Sequence, residues 1–374
     1  MTINAMTVSA GEAAKVLMAA WEAQRDHGMR MSFMLHGRPG IGKTQVVEQL
    51  ADHIKGRLYD VRLTQIEVSD LRGLPYYDHE TKTTKYYRPE ELPADSEPAV
   101  LFLDEITAAS PFLQPTVYGL LQERRVGSHK IPDNVIIVAA GNTVNDGAVA
   151  YEMPTATANR LVHMYVGVSA EDWLANFAVP KGIHPAVCAF IKIRPELLET
   201  SVECQKEGKM VAATPRSWER VSQIMYAIPD RRVRTVMIAG TVGDSVCADF
   251  MIVADDVAAT VQVTEMVKLP RAERARMYPV NQYGLQAMVF GLLGHLQETN
   301  VEPSIEIMVD IGKLPKLRPE ENKELSKLPL MELRTHGMES LIAKAMEMKL
   351  ESAVLDCAAY NEYHKERESL GLNG

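Results

Sequence analysis

The sequence predicts an α/β protein: a parallel sheet between layers of helices, built around a phosphate-binding loop and followed by an all-helical remainder. Three stretches predict it. Residues 33–44, Phe-Met-Leu-His-Gly-Arg-Pro-Gly-Ile-Gly-Lys-Thr, pass from a short apolar strand through a glycine-rich turn into an amphipathic helix. Val100-Leu101-Phe102-Leu103-Asp104-Glu105 is an unbroken apolar run ending in two acids, as expected of a parallel strand buried on both faces. Beyond Val166 the apolar spacing is helical, with no further long strand.

The first stretch has the spacing G-x-x-x-x-G-K-[ST] in its strand–loop–helix setting. Average residue usage makes a chance match in a chain this long roughly a one-in-a-hundred event. Gly37, Arg38, Pro39, Gly40, Ile41 and Gly42 supply a turn whose backbone N–H groups can curl around a phosphate. Lys43 is placed to reach the β- and γ-phosphates, and the Thr44 hydroxyl to bind Mg²⁺. The nucleotide implied is ATP. Asp104 emerges at the C-terminal end of the second strand, where open α/β sheets bind ligands, and is the second candidate for Mg²⁺. Glu105 is the candidate base that deprotonates the attacking water. An acidic pair after a strand is more often a solvated turn; its place downstream of a phosphate loop tips the balance.

Bulk properties narrow the class. The 374 residues suffice for two or three domains, with 46% hydrophobic and 24% charged residues. Four cysteines lie scattered without a C-x-x-C pair, which fits buried thiols of a cytoplasmic protein. No signal pattern opens the chain and no apolar run is long enough for a bilayer. A net charge of −9 disfavours an extended grip on nucleic acid. The twenty methionines fit core filling better than a promiscuous groove.

In chain order, residues 9–27 read as a helix capped by Ser9, with Glu12 in capping-box spacing. The phosphate-loop helix runs from Thr44 to about Ile54, and Leu58–Leu63 is a strand. Asp70–Pro75 reads as a polar turn, and Tyr76–Tyr87 as an exposed tyrosine-rich hairpin, either a surface excursion or a loop facing a pore or partner. Pro111–Arg124 is a helix, Arg125–Asp133 a second hairpin, and Val135–Ala140 a strand ending in Gly141-Asn142. The Asn142 amide stands where it could place a lytic water. Arg160 closes the segment Met153–Arg160 before a last strand, Leu161–Val166, read as an edge. Helices are expected over Ala170–Phe177, Pro185–Ile193, Pro215–Tyr226, Arg231–Gly240 and Asp244–Val257. Thr214-Pro215 opens the third of these, and Arg216 in its first turn opposes the helix dipole, a hint of a nearby anion. From 266 onward helices alternate with proline turns at Pro315, Pro319 and Pro329, down to a polar tail at Leu370–Gly374.

Five elements in this order resemble the AAA+ ATPases, within them the MoxR-like (MoxR/CbbQ/NorQ) group, over about residues 9–255: Gly37–Thr44, Val100–Glu105, Asn142, Met153–Arg160 and Thr214–Glu219. The resemblance implies a P-loop αβα sandwich at 1–168, a helical lid at 169–265 and a C-terminal helical extension at 266–374. It further implies that Arg160 is an arginine finger for the neighbouring subunit, with Arg124 and Arg125 in reserve, and that Arg216 is a second sensor. The sequence departs from the group at Thr143, where many members have proline, and lacks the acid and Phe that usually flank the finger. Members form homo-hexameric rings, many with a von Willebrand factor A domain partner, and act as chaperone-like remodellers of a protein client or in metal-cofactor insertion. The expectation is therefore a Mg²⁺-dependent ATPase that activates a protein partner. A nucleic-acid motor would need a basic, aromatic-lined strip. A small-molecule kinase would not need Asn142, a trans arginine or a lid, and a non-hydrolysing scaffold would not need Glu105.

Overall fold

The structure is a computed structural model that describes residues 4–94, 97–142 and 153–369. Thr143 and the Leu370–Gly374 tail lie outside the described residues. The chain forms two compact units. The first holds residues 1–173 with 202–210 and 214–216; the second holds 174–201, 211–213 and 217–374.

In the first unit β1 (Thr7–Val8) precedes α1 (Ala10–His27), where Ser9 and Glu12 form the expected reciprocal cap. Next come β2 (Ser32–His36), α2 (Lys43–Ile54), β3 (Arg57–Arg62) and α3 (Val68–Arg72). The α3 turn replaces the polar turn read at Asp70–Pro75. Glu67 and Asp70 cap each other's backbone, and Leu71 is buried, which together hold one helical turn before Gly73 stops it. The hairpin β4 (Pro75–Asp78) and β5 (Thr83–Tyr86) follows, then β6 (Ala99–Asp104). Helix α4 (Gln114–Glu123) begins later than expected: residues 111–113 form a turn in which Ser110 O accepts from the Leu113 and Gln114 amides. The second hairpin is β7 (Arg125–Val126) with β8 (His129–Lys130). Strand β9 (Val135–Gly141), helix α5 (Thr155–Ala158) and strand β10 (Leu161–Val166) complete the unit's main elements.

Six of these strands form one parallel sheet in the order β1-β10-β2-β9-β6-β3. Strand β10 is therefore not the edge: Thr7 and Val8 pair with Tyr165 and Val166 outside it. Alternation along each central strand divides the core into two layers. Leu101 and Leu103 of β6, with Val135, Ile137 and Ala139 of β9, pack on the α4 face. Val100 and Phe102, with Ile136, Val138 and Ala140, pack on the face covered by α1 and α2. All seven residues of β9 are buried, hence its continuous apolar run. This is the αβα sandwich of a P-loop protein.

The second unit is helical. The first unit's main span ends with the single turn of α6 (Ala170–Trp173), and a wide π-type turn at Leu174–Ala178 opens the second. Helix α7 (Pro185–Ile193) is capped by His184. Most of α8 (Ser201–Lys206), and the first two residues of α9 (Pro215–Ala227), belong to the first unit. Then come α10 (Arg231–Val242), α11 (Asp244–Thr260), α12 (Val263–Met266) and α13 (Gln282–Gly294). The remaining helices are α14 (Val301–Ile311), α15 (Leu314–Leu317), α16 (Asn322–Leu325), α17 (Leu330–Glu347), α18 (Glu351–Leu355) and α19 (Ala358–Ser369). Phe190, Trp218 and Phe250 meet with ring centroids 5.4–5.5 Å apart, and α7 packs on α13. Pro315 sits inside the first turn of α15 rather than in a turn between helices, where its missing N–H costs nothing. Cys188, Cys247 and Cys357 are buried free thiols. No helix among the described residues is long and apolar enough to cross a membrane.

Candidate functional site

The loop between β2 and α2 is shaped by three glycines at positive φ: Gly37 at 145°, Gly40 at 80° and Gly42 at 103°. A side chain at Gly37 would meet the Val166 carbonyl at 2.7 Å, so backbone approach there demands glycine. The loop carbonyls turn inward onto Lys43. Its Nζ donates to Gly37 O at 2.5 Å, to Arg38 O at 2.8 Å and to Asn142 Oδ1 at 3.1 Å. The phosphate-loop cation and the asparagine at the end of β9, ninety-nine positions apart, are thus in direct contact. Thr44 follows in the first turn of α2, which packs against β6.

Strand β6 delivers the two acids. Burial holds the Asp104 carboxyl above the usual carboxylate range. The Glu105 amide, donating to Asp104 Oδ1 at 2.8 Å, opposes that shift, while the Asp60 and Glu105 carboxylates add to it. Lys43 again pulls downward, so the loop cation and this carboxyl share one field. A part-buried carboxyl crowded by other acids, with a threonine hydroxyl at the head of α2, is a hard-oxygen donor set that suits Mg²⁺. Glu105 sits at φ 58°, left-handed backbone that turns the chain out of the strand. Thr64 Oγ1, just past β3, donates to Glu105 Oε2 at 2.5 Å. Thr64 went unnoticed in the sequence because a lone threonine after a strand carries no pattern; only the β3–β6 pairing brings it to the acid. Behind the acids, a side chain on Gly141 would meet Thr107 Cγ2 at 2.7 Å, so glycine lets the end of β9 lie against the turn after Glu105.

The arginines fall into different settings. Arg160 is exposed and its Nη1 donates to Gln122 Oε1 at 2.5 Å. Arg124 adopts φ 53° and donates Nη2 to the carbonyls of Pro132, at 3.0 Å, and Val135, at 2.5 Å. Its burial lowers its pKa, and it works as an internal clasp at the base of the second hairpin rather than as a free cation. Arg125 is exposed and folds back on Gly127 O. The Arg216 amide donates to Gly40 O at 3.3 Å, and Thr214 Oγ1 would lie 3.1 Å from a side chain at Gly40. The start of α9 therefore touches the phosphate loop through backbone, with the Arg216 side chain exposed. The structure brings Lys43, Asn142, Asp104 and Glu105 to one end of the sheet. Arg160 makes its hydrogen bond on α4 instead.

Residues 32–161 match the AAA domain family, dynein-related subfamily. The match takes in the phosphate loop, the two acids, Asn142 and Arg160. No curated protein matches the chain. Among solved structures, a putative ATPase from Cytophaga hutchinsonii is 14% identical, over 62% of this chain and 80% of its own, with a TM-score of 0.34. A mutant RuvB from Thermotoga maritima is 15% identical, over 76% and 83%, with a TM-score of 0.36. The T. maritima RuvB Holliday junction branch migration motor is 14% identical, over 70% and 78%, again at 0.36. At these scores the likenesses add no argument about the site. What stands is the match of residues 32–161 to the AAA domain family, on a P-loop αβα fold that a helical region follows.

Proposed function

We propose that this chain is a Mg²⁺-dependent ATPase acting as a homo-hexameric ring, which converts turnover into remodelling or activation of a protein client. The single observation that carries the reading is the contact of Lys43 with Asn142 beside Asp104 and Glu105, because it gathers cation, amide and base where the γ-phosphate of a loop-bound nucleotide would lie. In this reading the loop amides and Lys43 bind the β- and γ-phosphates, and Asn142 orients the attacking water. Glu105 accepts that water's proton as its oxygen bonds to phosphorus and the β–γ bridging oxygen leaves with ADP. Mg²⁺, held by Thr44 and Asp104, would neutralise charge shared by the two phosphates. Arg160, exposed on its own subunit, is offered to the neighbour's γ-phosphate, and Arg216 to its own loop. The resemblance to the MoxR-like group supplies the further expectation of a von Willebrand factor A domain partner.

The deciding experiment is ATP turnover per protomer, with Mg²⁺, across a wide range of protein concentration. A rate that climbs with concentration and levels off is expected of a site completed between subunits. A dilute sample that sizes as a monomer and still hydrolyses ATP at the full rate would overturn the ring. Within the assembled ring, Arg160→Ala should lower turnover by ~10³-fold or more, the scale of an arginine supplied in trans.

A further inference from the structure

The segment that carries Arg160 cannot hold itself. Helix α5 is four residues long, below the length at which a helix persists alone. Two side-chain systems from other elements hold it. On one side the Gln122 amide bridges it, Nε2 donating to Thr157 Oγ1 at 2.8 Å and Oε1 accepting from Arg160 at 2.5 Å. On the other side His163 Nε2 lies 2.8 Å from the Ala158 carbonyl, two residues before Arg160. Only a protonated ring nitrogen can meet a carbonyl, so Nε2 carries the hydrogen and Nδ1 of the neutral ring is an acceptor. His36 Nε2 stands 2.8 Å from that Nδ1 and, with the His163 ring in this tautomer, is the donor. The two rings lie near-parallel, at 10°, with centroids 5.1 Å apart. His36 is buried at the end of β2, immediately before Gly37, whose carbonyl Lys43 grips. One directional chain of hydrogen bonds thus runs from the root of the phosphate loop, through His36 and His163, to the backbone under Arg160.

We propose that His36 and His163 are a positioning pair for Arg160, so that His36, although it leads into its own phosphate loop, serves the neighbouring subunit's site. The proposal rests on Arg160 acting in trans. A merely structural role would predict that loss of either histidine loosens the fold or damages the subunit's own loop. Positioning predicts a fault that behaves as though the arginine itself were defective.

The test uses His163→Leu and His36→Phe, which keep bulk and remove the chain, with His163→Gln as the conservative variant. Gln retains one donor for Ala158 and one acceptor for His36. ATP affinity should stay within about twofold of the parent while kcat falls by ~10²-fold, the scale of a misplacement near 1 Å; His163→Gln should recover most of that loss. Subunit mixing then locates the fault. Rings mixing either variant with Glu105→Gln should regain activity, since the variant supplies an intact base and the Gln subunit an intact arginine. Rings mixing either variant with Arg160→Ala should not, because both lack a competent arginine. Restoration of His36→Phe by Arg160→Ala would put the fault in the subunit's own loop and overturn the proposal, as would normal turnover of both variants. If Arg160→Ala mixed with Glu105→Gln shows no restoration, the trans reading itself has failed, an outcome distinct from failure of the histidine pair. Should His163→Leu not fold, His36→Phe and His163→Gln decide, and a His163→Gln protein no more active than Arg160→Ala would refute the pair.

Discussion

Glu105→Gln isolates the proposed base from everything else around it. The substitution keeps the length and shape of a side chain at left-handed φ, and Gln still offers an oxygen to the Thr64 hydroxyl. It also leaves the Glu105 amide free to donate to Asp104, so the local backbone has no reason to move. Stability should change by no more than about 0.5 kcal/mol, as for an exposed position without special packing. Binding of Mg²⁺–ATP should survive, because the three donors of Lys43 and the loop amides are untouched. What is lost is proton acceptance from water, worth ~10²–10⁴ in rate, or about 3–5 kcal/mol on the barrier. The assay is steady-state phosphate release beside direct measurement of nucleotide affinity. Thr64→Val is the companion: the base remains but loses a hydrogen bond to a charged group, so a smaller loss of ~10-fold or more is expected. Turnover of Glu105→Gln within threefold of the parent, at normal affinity, would remove Glu105 from the mechanism.

Further outcomes follow from particular contacts. Lys43→Ala should abolish ATP binding, since one ammonium group spans both loop carbonyls and Asn142; isothermal titration showing parental affinity would contradict the phosphate-loop assignment. Asp104→Asn should stop Mg²⁺-dependent hydrolysis yet raise the melting temperature at neutral pH. The folded protein holds that carboxyl's proton more tightly than the unfolded chain does, so stability falls as pH rises through the raised pKa. The thermal advantage of Asp104→Asn should shrink as pH falls below the ordinary carboxyl pKa of ~3.9, where the unfolded chain becomes protonated as well; an advantage independent of pH would refute the cause. His184, half-buried and capping α7 by accepting the Ala186 amide, has its pKa lowered from 6.5 to about 4 by desolvation and by the nearby Arg234. The unfolded chain then binds the extra proton, so its contribution is full above pH 6.5 and is lost as pH falls toward 4, on the order of 3 kcal/mol in all. His184→Asn, which can still cap, should flatten the acid side of the stability curve; unchanged acid sensitivity would point to other groups.

Local pattern alone reaches a long way into this molecule. Four apolar residues followed by two acids place β6 and the end from which Asp104 and Glu105 emerge, because a strand buried on both faces has no polar alternation to blur it. Glycine spacing before Lys43 dictates the phosphate loop, since positive φ at positions 37, 40 and 42 suits no other residue. Ser9 and Glu12 announce the start of α1. Short elements were less legible: α3 depends on a Glu67–Asp70 cap and one buried leucine, and β1 is a strand only because β10 offers it a free edge. Neither Glu67–Asp70 nor Thr7–Val8 carries a periodicity that a local reading can find.

Within the site, residue types were visible but their meetings were not. Lys43 and Asn142 touch because the sheet order sets β9 beside β2, and strand order is a property of the whole chain's packing. The same holds for Thr64 on Glu105, Gln122 on Arg160, and His36 on His163, each pair at least 38 positions apart. Sequence by itself determined which backbone bends around phosphate and which acids leave a buried strand, because φ preference and burial pattern act within a few residues. Tertiary structure alone decided what steadies Lys43, Glu105 and Arg160, because a hydrogen bond between distant residues exists only after the sheet has chosen its neighbours.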